Sequence, residues 1–193
     1  MAKYNINLVR CKRTDPLYQD IRNRHYVANK GCHGQQLHYL IYLDDNLVGI
    51  ISGASSVWAV KSRDEYFGLT KENKKVALPS IINNVVFRLE THLPNLATQV
   101  LSVWRKIISV DWEEHYKVKV HGFETFVVEE DFRKGALYKA DNWDFLGQTY
   151  GNTKTHKGLS TPSERISTTP KLIFAKKIPK TSLSTSYTPT WNL

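Results

Sequence analysis

Alternating apolar and polar positions predict a sheet-rich domain, and its clearest element is an antiparallel hairpin over residues 37–54. The two arms are rich in β-branched, aromatic and aliphatic side chains, and the turn-forming residues Asp44, Asp45 and Asn46 separate them. The other predicted strands are residues 4–9, residues 81–91, a pair within 117–128 that Gly122 interrupts, and a closing strand that ends near Gly151. The stretch 123–128 is expected beside the strand that holds Arg88.

Two segments carry helix signals. Asp15 and Pro16 are a typical N-cap and first helical residue, so a helix is predicted from there to about Tyr26. A second helix is predicted after Pro94, because apolar residues recur there with helical spacing. Its apolar face comprises Leu96, Val100, Leu101, Trp104 and Ile108. Residues 57–80 are polar and are predicted to be an irregular or helical insertion. The whole pattern predicts an α/β fold with a mixed, largely antiparallel sheet flanked by helices.

Composition narrows the class of protein. A chain of 193 residues with 41% apolar residues is long enough for one domain with a sizeable core. No apolar run approaches the length that crosses a bilayer, and the first residues lack the core of a signal peptide. Two cysteines, Cys11 and Cys32, are too few for a disulfide scaffold. We therefore expect a cytoplasmic protein, bacterial or from a phage-infected host, without membrane contact.

The positive charge is concentrated near the C-terminus. The net charge is +9, and residues 152–193 hold seven Lys and Arg residues against the single Glu164, which leaves +3 for the rest of the chain. Clustered lysine attracts phosphate regardless of nucleotide sequence, so DNA is the predicted partner. The alternative is that the basic segment is only a soluble extension. The oligomeric state is not predicted.

A change of composition after Gly151 predicts three segments. Residues 1–151 form the predicted domain, and residues 152–180 form a basic extension in which residues 172–175 can add an edge strand. Residues 181–193 are rich in Ser, Thr and Pro and are predicted to be disordered, with few contacts to the domain.

The closing part of the domain carries the most informative residues. An apolar strand from Phe123 precedes a helical turn with Tyr138 and Asn142, and an aromatic residue, Trp143, follows directly. This order resembles the end of the fold of GNAT acyltransferases, in which the helical Tyr often acts as general acid toward the departing thiol. One helical turn separates Tyr138 from Asn142, which predicts that both project from one helix face. The alternative is that these aromatics only pack a helix onto the sheet.

Further motifs occur in a fixed order along residues 20–151. They are Trp58, Arg63, Asp64, Phe67, Gly68, residues 83–88 and 94–97, Asp111, Trp112, Tyr116, and residues 124–127, 138–143 and 146–149. In this order they resemble the DruA family, named for a component of the Druantia anti-phage system. A more distant resemblance is to Mom, a GNAT-like phage protein that modifies adenine in DNA. These resemblances imply a single GNAT-like domain and a link to restriction evasion or phage defence.

The strand at 81–91 is unusually polar for an inner strand. Strict alternation places Asn84, Val86 and Arg88 on one face, and a guanidinium beside an amide can hold an acyl carbonyl or a planar base. Glu124 is the candidate general base, Tyr138 the general acid, and Arg88 and Asn142 complete the predicted catalytic set. The alternative is a structural ion pair of Arg88 with Glu90 or Glu124. Predicted substrate contacts are Asn83, Asn84, Trp58, Asp64 and Trp143.

The predicted donor site is the start of the second helix, where a GNAT enzyme binds the donor pyrophosphate on backbone N–H groups. The residues at that position are Pro94, Asn95, Leu96 and Ala97. The Gly-rich loop of GNAT enzymes is absent there, so acyl-CoA is possible but the donor stays unknown. The seven histidines show no metal-ligand spacing, and no metal is predicted.

Three functions follow as hypotheses. The first is transfer of an acyl- or aminoacyl-type group to a DNA base, adenine being favoured by the resemblance to Mom. The second is a non-catalytic DNA-binding component of an anti-phage or mobile-element system. The third is an ordinary small-molecule or protein N-acyltransferase, which the missing Gly-rich loop disfavours.

Overall fold

A seven-stranded mixed sheet organises the part of the chain that the computed structural model describes, which is residues 3–27, 34–130, 133–149 and 170–178. The strands are Ile6–Cys11 (β1), Gln36–Leu43 (β2), Asn46–Ser55 (β3), Ile81–Leu89 (β4), Gly122–Val128 (β5), Asp144–Thr149 (β6) and Lys171–Lys177 (β7). Their order across the sheet is β1-β2-β3-β4-β5-β7-β6. All neighbours are antiparallel except β4 and β5, which run parallel. The predicted hairpin and the position of β5 beside β4 are confirmed.

Five α-helices accompany these strands within the described residues. They are Pro16–Asn23 (α1), Lys61–Phe67 (α2), Lys74–Ala77 (α3), Leu96–Tyr116 (α4) and Ala136–Ala140 (α5), with a 3₁₀ turn at Leu78–Ser80. Asp15 caps α1 by accepting from the N–H groups of Leu17 and Tyr18, and Pro16 follows at the first helical position. No helix in the described part is long and apolar enough to span a membrane.

The long helix α4 covers one face of the sheet. Trp104, Ile108 and Trp112 on its apolar side are fully buried in the main core. The helix approaches β3 closely because Gly53 lacks a side chain; a Cβ there would lie 2.5 Å from Cδ1 of Ile108. The other face is covered by α1, whose Tyr18 and Ile21 pack in a second, smaller core. The fold class predicted from the sequence, an α/β domain with a mixed, largely antiparallel sheet, is confirmed.

A bulge in β4 changes which residues share a face. Ser52 pairs with Val86 and the next residue, Gly53, pairs with Asn84, so Val85 is an extra residue without a register partner. As a result Val86 packs in the α1-side core, whereas Phe87 packs against the α4-side core. Asn84 bonds to side chains of the α4-side core, as described below. The prediction that Asn84, Val86 and Arg88 share one face is therefore wrong.

Three boundaries differ from the sequence-based expectation. Helix α1 ends at Asn23 rather than near Tyr26, and the segment 117–128 holds one strand, not two. The strand expected at the edge, residues 172–175, instead lies inside the sheet as part of β7, hydrogen-bonded to both β5 and β6. Its residues Ile173 and Phe174 are buried. The predicted tail at 181–193 and the segment 152–169 lie outside the described residues.

Candidate active site

The sheet splits between its two parallel strands. β4 and β5 pair only at Ile81–Gly122, Ile82–Phe123 and Asn83–Glu124. Beyond these three pairs β4 continues to Leu89 and β5 to Val128 without further pairing. A wedge therefore opens between the two strands, starting at Asn84 on one side and Thr125 on the other.

A hydrogen-bonded group of three buried side chains occupies the start of this wedge. The Thr125 hydroxyl donates to the backbone oxygen of Asn84 at 3.0 Å, and the Tyr138 hydroxyl donates to Asn84 Oδ1 at 2.8 Å. The Asn84 amide donates to the backbone oxygens of Ser52 and Val86, which orients its oxygen toward Tyr138. These bonds connect the two strands where backbone pairing stops. We call Asn84, Thr125 and Tyr138 the wedge network.

Helix α5 and its surroundings hold Tyr138 in place. Its ring contacts Trp143 edge-on, with ring centroids 5.1 Å apart, and stacks on Phe174 at 5.8 Å. Trp143 is 4% exposed, and its Nε1 donates to Asp141, which also pairs with Arg105 of α4. Burial raises the pKa of Tyr138, so its phenol is protonated at neutral pH. Trp143 is a core residue here, as the alternative interpretation of the sequence expected, and it does not line the cleft described next.

An apolar cleft of about 490 Å³ opens at the far end of β4. Its lining residues come from the end of β4, the start of α4 and α5: Phe87, Leu89, Thr91, His92, Leu93, Pro94, Ala97 and Leu137. Two of the four predicted donor-binding residues, Pro94 and Ala97, therefore line the cleft. Leu96 is fully buried, and Asn95 is exposed with a left-handed backbone (φ 62°) and makes no side-chain capping bond.

The cleft suits an apolar, acyl-bearing arm better than a pyrophosphate. None of its lining residues is Lys or Arg, and Pro94 has no N–H to donate. The ionisable lining residue is His92. The sequence lacks the Gly-rich loop that binds a pyrophosphate, and no basic side chain among the lining residues takes its place.

Glu124 belongs to a different network on the opposite face of the sheet. Neighbouring residues of a strand point to opposite faces, so Glu124 faces away from Thr125. Its carboxylate accepts from Arg63 Nη1 at 2.8 Å, and both side chains are fully buried. Arg63 also pairs with Asp64 at 2.7 Å, and Asp64 pairs with Lys74. We call these four residues the ionic network; it fixes α2 to β5.

This position is a poor one for a general base. The carboxylate contacts neither Tyr138 nor the cleft, so it cannot reach a substrate there. Burial raises the pKa of Glu124, and the adjacent Arg63 opposes that rise. We take the carboxylate as ionised, because it accepts a short hydrogen bond from a guanidinium that stays charged. The sequence-based placement of Glu124 beside the closing helix is wrong, since strand alternation turns it toward α2.

Arg88 and Asn142 also lie away from the wedge network. Arg88 pairs with Glu90 and donates to the backbone oxygen of Arg24 at 2.7 Å, so it ties the chain after α1 to β4. Asn142 follows the end of α5, with a left-handed backbone (φ 55°) and an exposed side chain. The prediction that Tyr138 and Asn142 project from one helix face is wrong because the helix stops at Ala140.

The remaining predicted substrate contacts are dispersed. Trp58 is 59% exposed, and Lys74 lies over its ring at 5.4 Å from the centroid. Asn83 is buried next to Glu124 in the ladder, and Asp64 serves the ionic network. No group of three or more His, Cys, Asp or Glu residues in the described part is placed to hold a metal ion.

Thr125 and the cleft-lining residues other than Pro94 and Ala97 were not predicted as site residues from the sequence. Thr125 follows Glu124 in a strand of ordinary composition, and only the parting of the strands gives its hydroxyl a role. Leu137 precedes Tyr138 directly, and an apolar residue at that position is equally typical of packing. His92 and Thr91 did have a usable signal, because they are polar residues between the split strand and the helix that follows it.

The sequence and the structure each have matches among known proteins. The sequence profile of the Druantia protein DruA matches residues 1–165. The chain belongs to the DruA family. This confirms the family resemblance seen in the ordered motifs, whereas the resemblance to Mom stays a prediction. No curated protein matches the chain by sequence.

Solved structures that are similar to this chain include acetyltransferases. A structure of AAC(6')-Ib in complex with parmomycin and acetyl-CoA superposes with a TM-score of 0.54 at 11% identity, covering 89% of this chain and 93% of that one. An acetyltransferase from Salmonella typhimurium, described as modifying the N-terminal serine of ribosomal protein L7/L12, gives a TM-score of 0.48 at 11% identity. That match covers 76% of this DruA-family chain and 66% of the acetyltransferase. At such identities the likeness shows the GNAT acetyltransferase fold and nothing finer.

Proposed function

We propose that this DruA-family chain transfers an acyl- or aminoacyl-type group to an exocyclic amine of a DNA base. The donor would lie in the apolar cleft, and the reacting carbonyl would lie where β4 and β5 part. The wedge network supports this proposal, because the Tyr138 hydroxyl is protonated and lies where the GNAT sheet splits, next to the cleft-lining residue Leu137. Adenine is the favoured base only because of the distant sequence resemblance to Mom.

The cleft supports an acyl thioester as the donor class. Phe87, Leu93 and Leu137 offer apolar contact to the arm of such a donor. A bound acyl thioester would supply an activated carbonyl carbon. The lining does not fit the pyrophosphate of coenzyme A, so we propose the thioester class and leave the carrier open.

Two side chains would move the protons of the reaction. Tyr138 donates its phenolic proton to the leaving thiolate as the carbon–sulfur bond breaks. His92 accepts the proton that the acceptor amine loses as the new carbon–nitrogen bond forms, and exchange with water returns both groups to their starting states. His92 takes the role that the sequence suggested for Glu124, because it lines the cleft and Glu124 does not.

Nucleoside mass spectrometry on DNA from cells that express the protein tests this function. Wild type should yield a modified nucleoside, and Tyr138→Phe should lower its yield by roughly 10²–10⁴-fold, the usual contribution of a general acid. Tyr39→Phe is the matched control, because Tyr39 also donates its hydroxyl, to Asp111 at 2.7 Å, but lies away from the cleft. The two variants should lose similar stability and differ only in yield.

Two results would contradict the proposal. Equal yields from wild type and Tyr138→Phe would remove the tyrosine from the chemistry. The absence of any modified nucleoside from wild type, in the presence of the host's own donors, would leave the second candidate. His92→Gln tests the proposed base in the same assay.

The second candidate is a non-catalytic DNA-binding component of an anti-phage or mobile-element system. One observation favours it: Tyr138, Glu124 and Arg88 all have protein partners, so each is explained by the fold alone. This candidate predicts DNA binding without a modified nucleoside, and it predicts that Tyr138→Phe affects stability only.

A further inference from the structure

A basic groove of about 640 Å³ lies at the opposite end of α4 from the cleft. We define the basic groove by its lining residues, Arg10, Cys11, Lys12, Arg13, Gly34, Gln36, Leu37, His38, His115 and Tyr116. Three of these residues are permanently charged cations, two are histidines, and none is Asp or Glu. The basic groove is separate from the wedge network and from the ionic network.

The edge of the sheet builds the basic groove. β1 is an edge strand, and its last residues pair with β2 so that Arg10 lies opposite Tyr39 and Cys11 opposite His38. Lys12 and Arg13 follow directly after the last residue of β1, so the end of this edge strand carries the cations of the basic groove. Tyr116 fixes the last turn of α4 there, since its hydroxyl bonds to both the N–H and the oxygen of Gln36 at 2.9 and 2.7 Å.

Two acids close to the basic groove, Asp15 and Asp111, already have partners. Asp15 caps α1 through the N–H groups of Leu17 and Tyr18, and Asp111 accepts from the Tyr39 hydroxyl. Neither carboxylate lines the groove. No Asp or Glu lines the basic groove, so the cationic side chains give its lining a net positive charge.

The floor of the basic groove is a buried, uncharged histidine. His38 Nδ1 contacts the hydroxyls of Tyr18 and Ser52 at 3.1 and 2.9 Å, and these hydroxyls lie 2.7 Å apart. Burial, together with the charges of Arg13 and Arg22, lowers the pKa of His38 to about 4. The positive charges of Arg13 and Arg22 contribute to this lower pKa, and an anion in the basic groove would meet the same positive field.

We propose that the basic groove binds the phosphate backbone of DNA. The long cationic side chains among its lining residues, of which Arg10 and Lys12 are exposed, suit phosphate oxygens. α4 has 21 residues, so at ~1.5 Å per residue the basic groove lies about 30 Å from the cleft. At ~3.4 Å per base pair, a duplex would need about 9 base pairs to reach both. The proposal rests on the DNA part of the proposed function and does not depend on acyl transfer.

Salt-dependent binding of a duplex of about 20 base pairs to the full chain tests this site. The triple variant Arg10→Gln/Lys12→Gln/Arg13→Gln should reduce the slope of log affinity against log salt by about 3, or roughly 0.9 for each phosphate that the protein no longer neutralises. Its control, Lys61→Gln/Lys71→Gln/Lys75→Gln, removes the same charge from exposed positions on and around α2 and α3. The control should change the slope by less than about 1.

Two further variants keep the outcome interpretable. Arg10→Lys/Arg13→Lys retains the charge and should retain binding, which separates loss of charge from loss of fold. Tyr138→Phe should bind DNA like wild type, so a failure of acyl transfer leaves this result unaffected. Equal salt slopes for the groove variant and the control would overturn the proposal. Absence of duplex binding by wild type would also overturn the proposal, whatever the modification assay shows.

Discussion

Two neighbouring residues of β5, Glu124 and Thr125, enter two different kinds of polar network. Glu124 faces α2 and is neutralised by a guanidinium, with both side chains fully buried. Thr125 faces the α4 side and joins a network of neutral groups, the wedge network. Both networks are buried and both are hydrogen-bonded. They differ in what happens when one partner is removed, because an unpaired charge costs far more inside a protein than an unpaired hydroxyl.

The difference between a charged and a neutral network suits the ionic network to a structural role and leaves the wedge network available for a chemical one. A buried ion pair resists any change of protonation or geometry, so the ionic network is suited to fixing the insertion that holds α2. The Tyr138 hydroxyl, by contrast, belongs to a network of neutral groups and keeps its proton at neutral pH, because burial raises its pKa. The carboxylate that the sequence suggested as a base therefore has a structural role, whereas Tyr138 is the residue for which we propose a chemical role.

The largest expected effect is on the ionic network. Glu124→Gln should lower the free energy of unfolding by about 3–5 kcal/mol, because it leaves Arg63 buried beside a neutral group. Chemical denaturation measures this change. The double variant Glu124→Gln/Arg63→Met should recover part of the loss, since it removes the stranded charge. A loss below about 1 kcal/mol for the single variant would mean that the pair is not buried as described.

A smaller effect on stability is expected from His38, whose buried imidazole is uncharged in the folded protein at neutral pH. Its pKa of about 4 in the folded state lies below the ordinary value of 6.5, so between these values the unfolded chain binds a proton that the folded chain does not. Stability should therefore fall as the pH is lowered from 6.5 to 4, with His38 contributing roughly 2–3 kcal/mol. His38→Asn should flatten the pH profile, leaving the share of His25, whose pKa burial also lowers to about 4. An unchanged profile would contradict the burial of the imidazole.

The wedge network should respond less than the ionic one. Thr125→Val keeps the shape of the side chain and removes the bond to the backbone oxygen of Asn84, which costs about 1–3 kcal/mol. Thermal unfolding gives the stability change, and nucleoside mass spectrometry shows whether the displaced Tyr138 still supports modification. A loss as large as that of Glu124→Gln would remove the distinction between the two networks.

The smallest effect is expected for Arg88 and Glu90, an ion pair at the surface. Their side chains are 33% and 28% exposed, so water screens the attraction between them. Arg88→Lys should change the free energy of unfolding by less than about 1 kcal/mol. If Arg88→Lys instead abolishes modification at unchanged stability, Arg88 has the substrate-orienting role that the sequence suggested, and the chemical region extends beyond the wedge network.

Much of the fold follows from local sequence. Turn chemistry at residues 44–46 specifies the β2–β3 hairpin, Asp15 and Pro16 specify the start of α1, and the apolar face from Leu96 to Ile108 specifies α4. These signals depend on neighbours within a few positions. The ordered motifs likewise placed the chain in the DruA family, and the profile match confirms this.

The candidate site depends on positions that no local pattern encodes. One extra residue, Val85, reverses the facing of the rest of β4, and the helix stop at Ala140 removes Asn142 from the face of Tyr138. The sequence also did not reveal that β7 lies inside the sheet, because the order of strands depends on pairing between segments that are far apart in the chain.

The sequence by itself determined the class of fold, its family and the residue types available for chemistry, since periodicity, turns and ordered motifs are local properties. Only the tertiary structure decided which polar residues meet. Glu124 accepts a hydrogen bond from Arg63 of the insertion, 61 positions earlier in the chain, and Tyr138 donates one to Asn84, 54 positions earlier. Contacts at such separations arise from the pairing, parting and bulging of strands, and the free energy that selects them is that of the whole packed sheet.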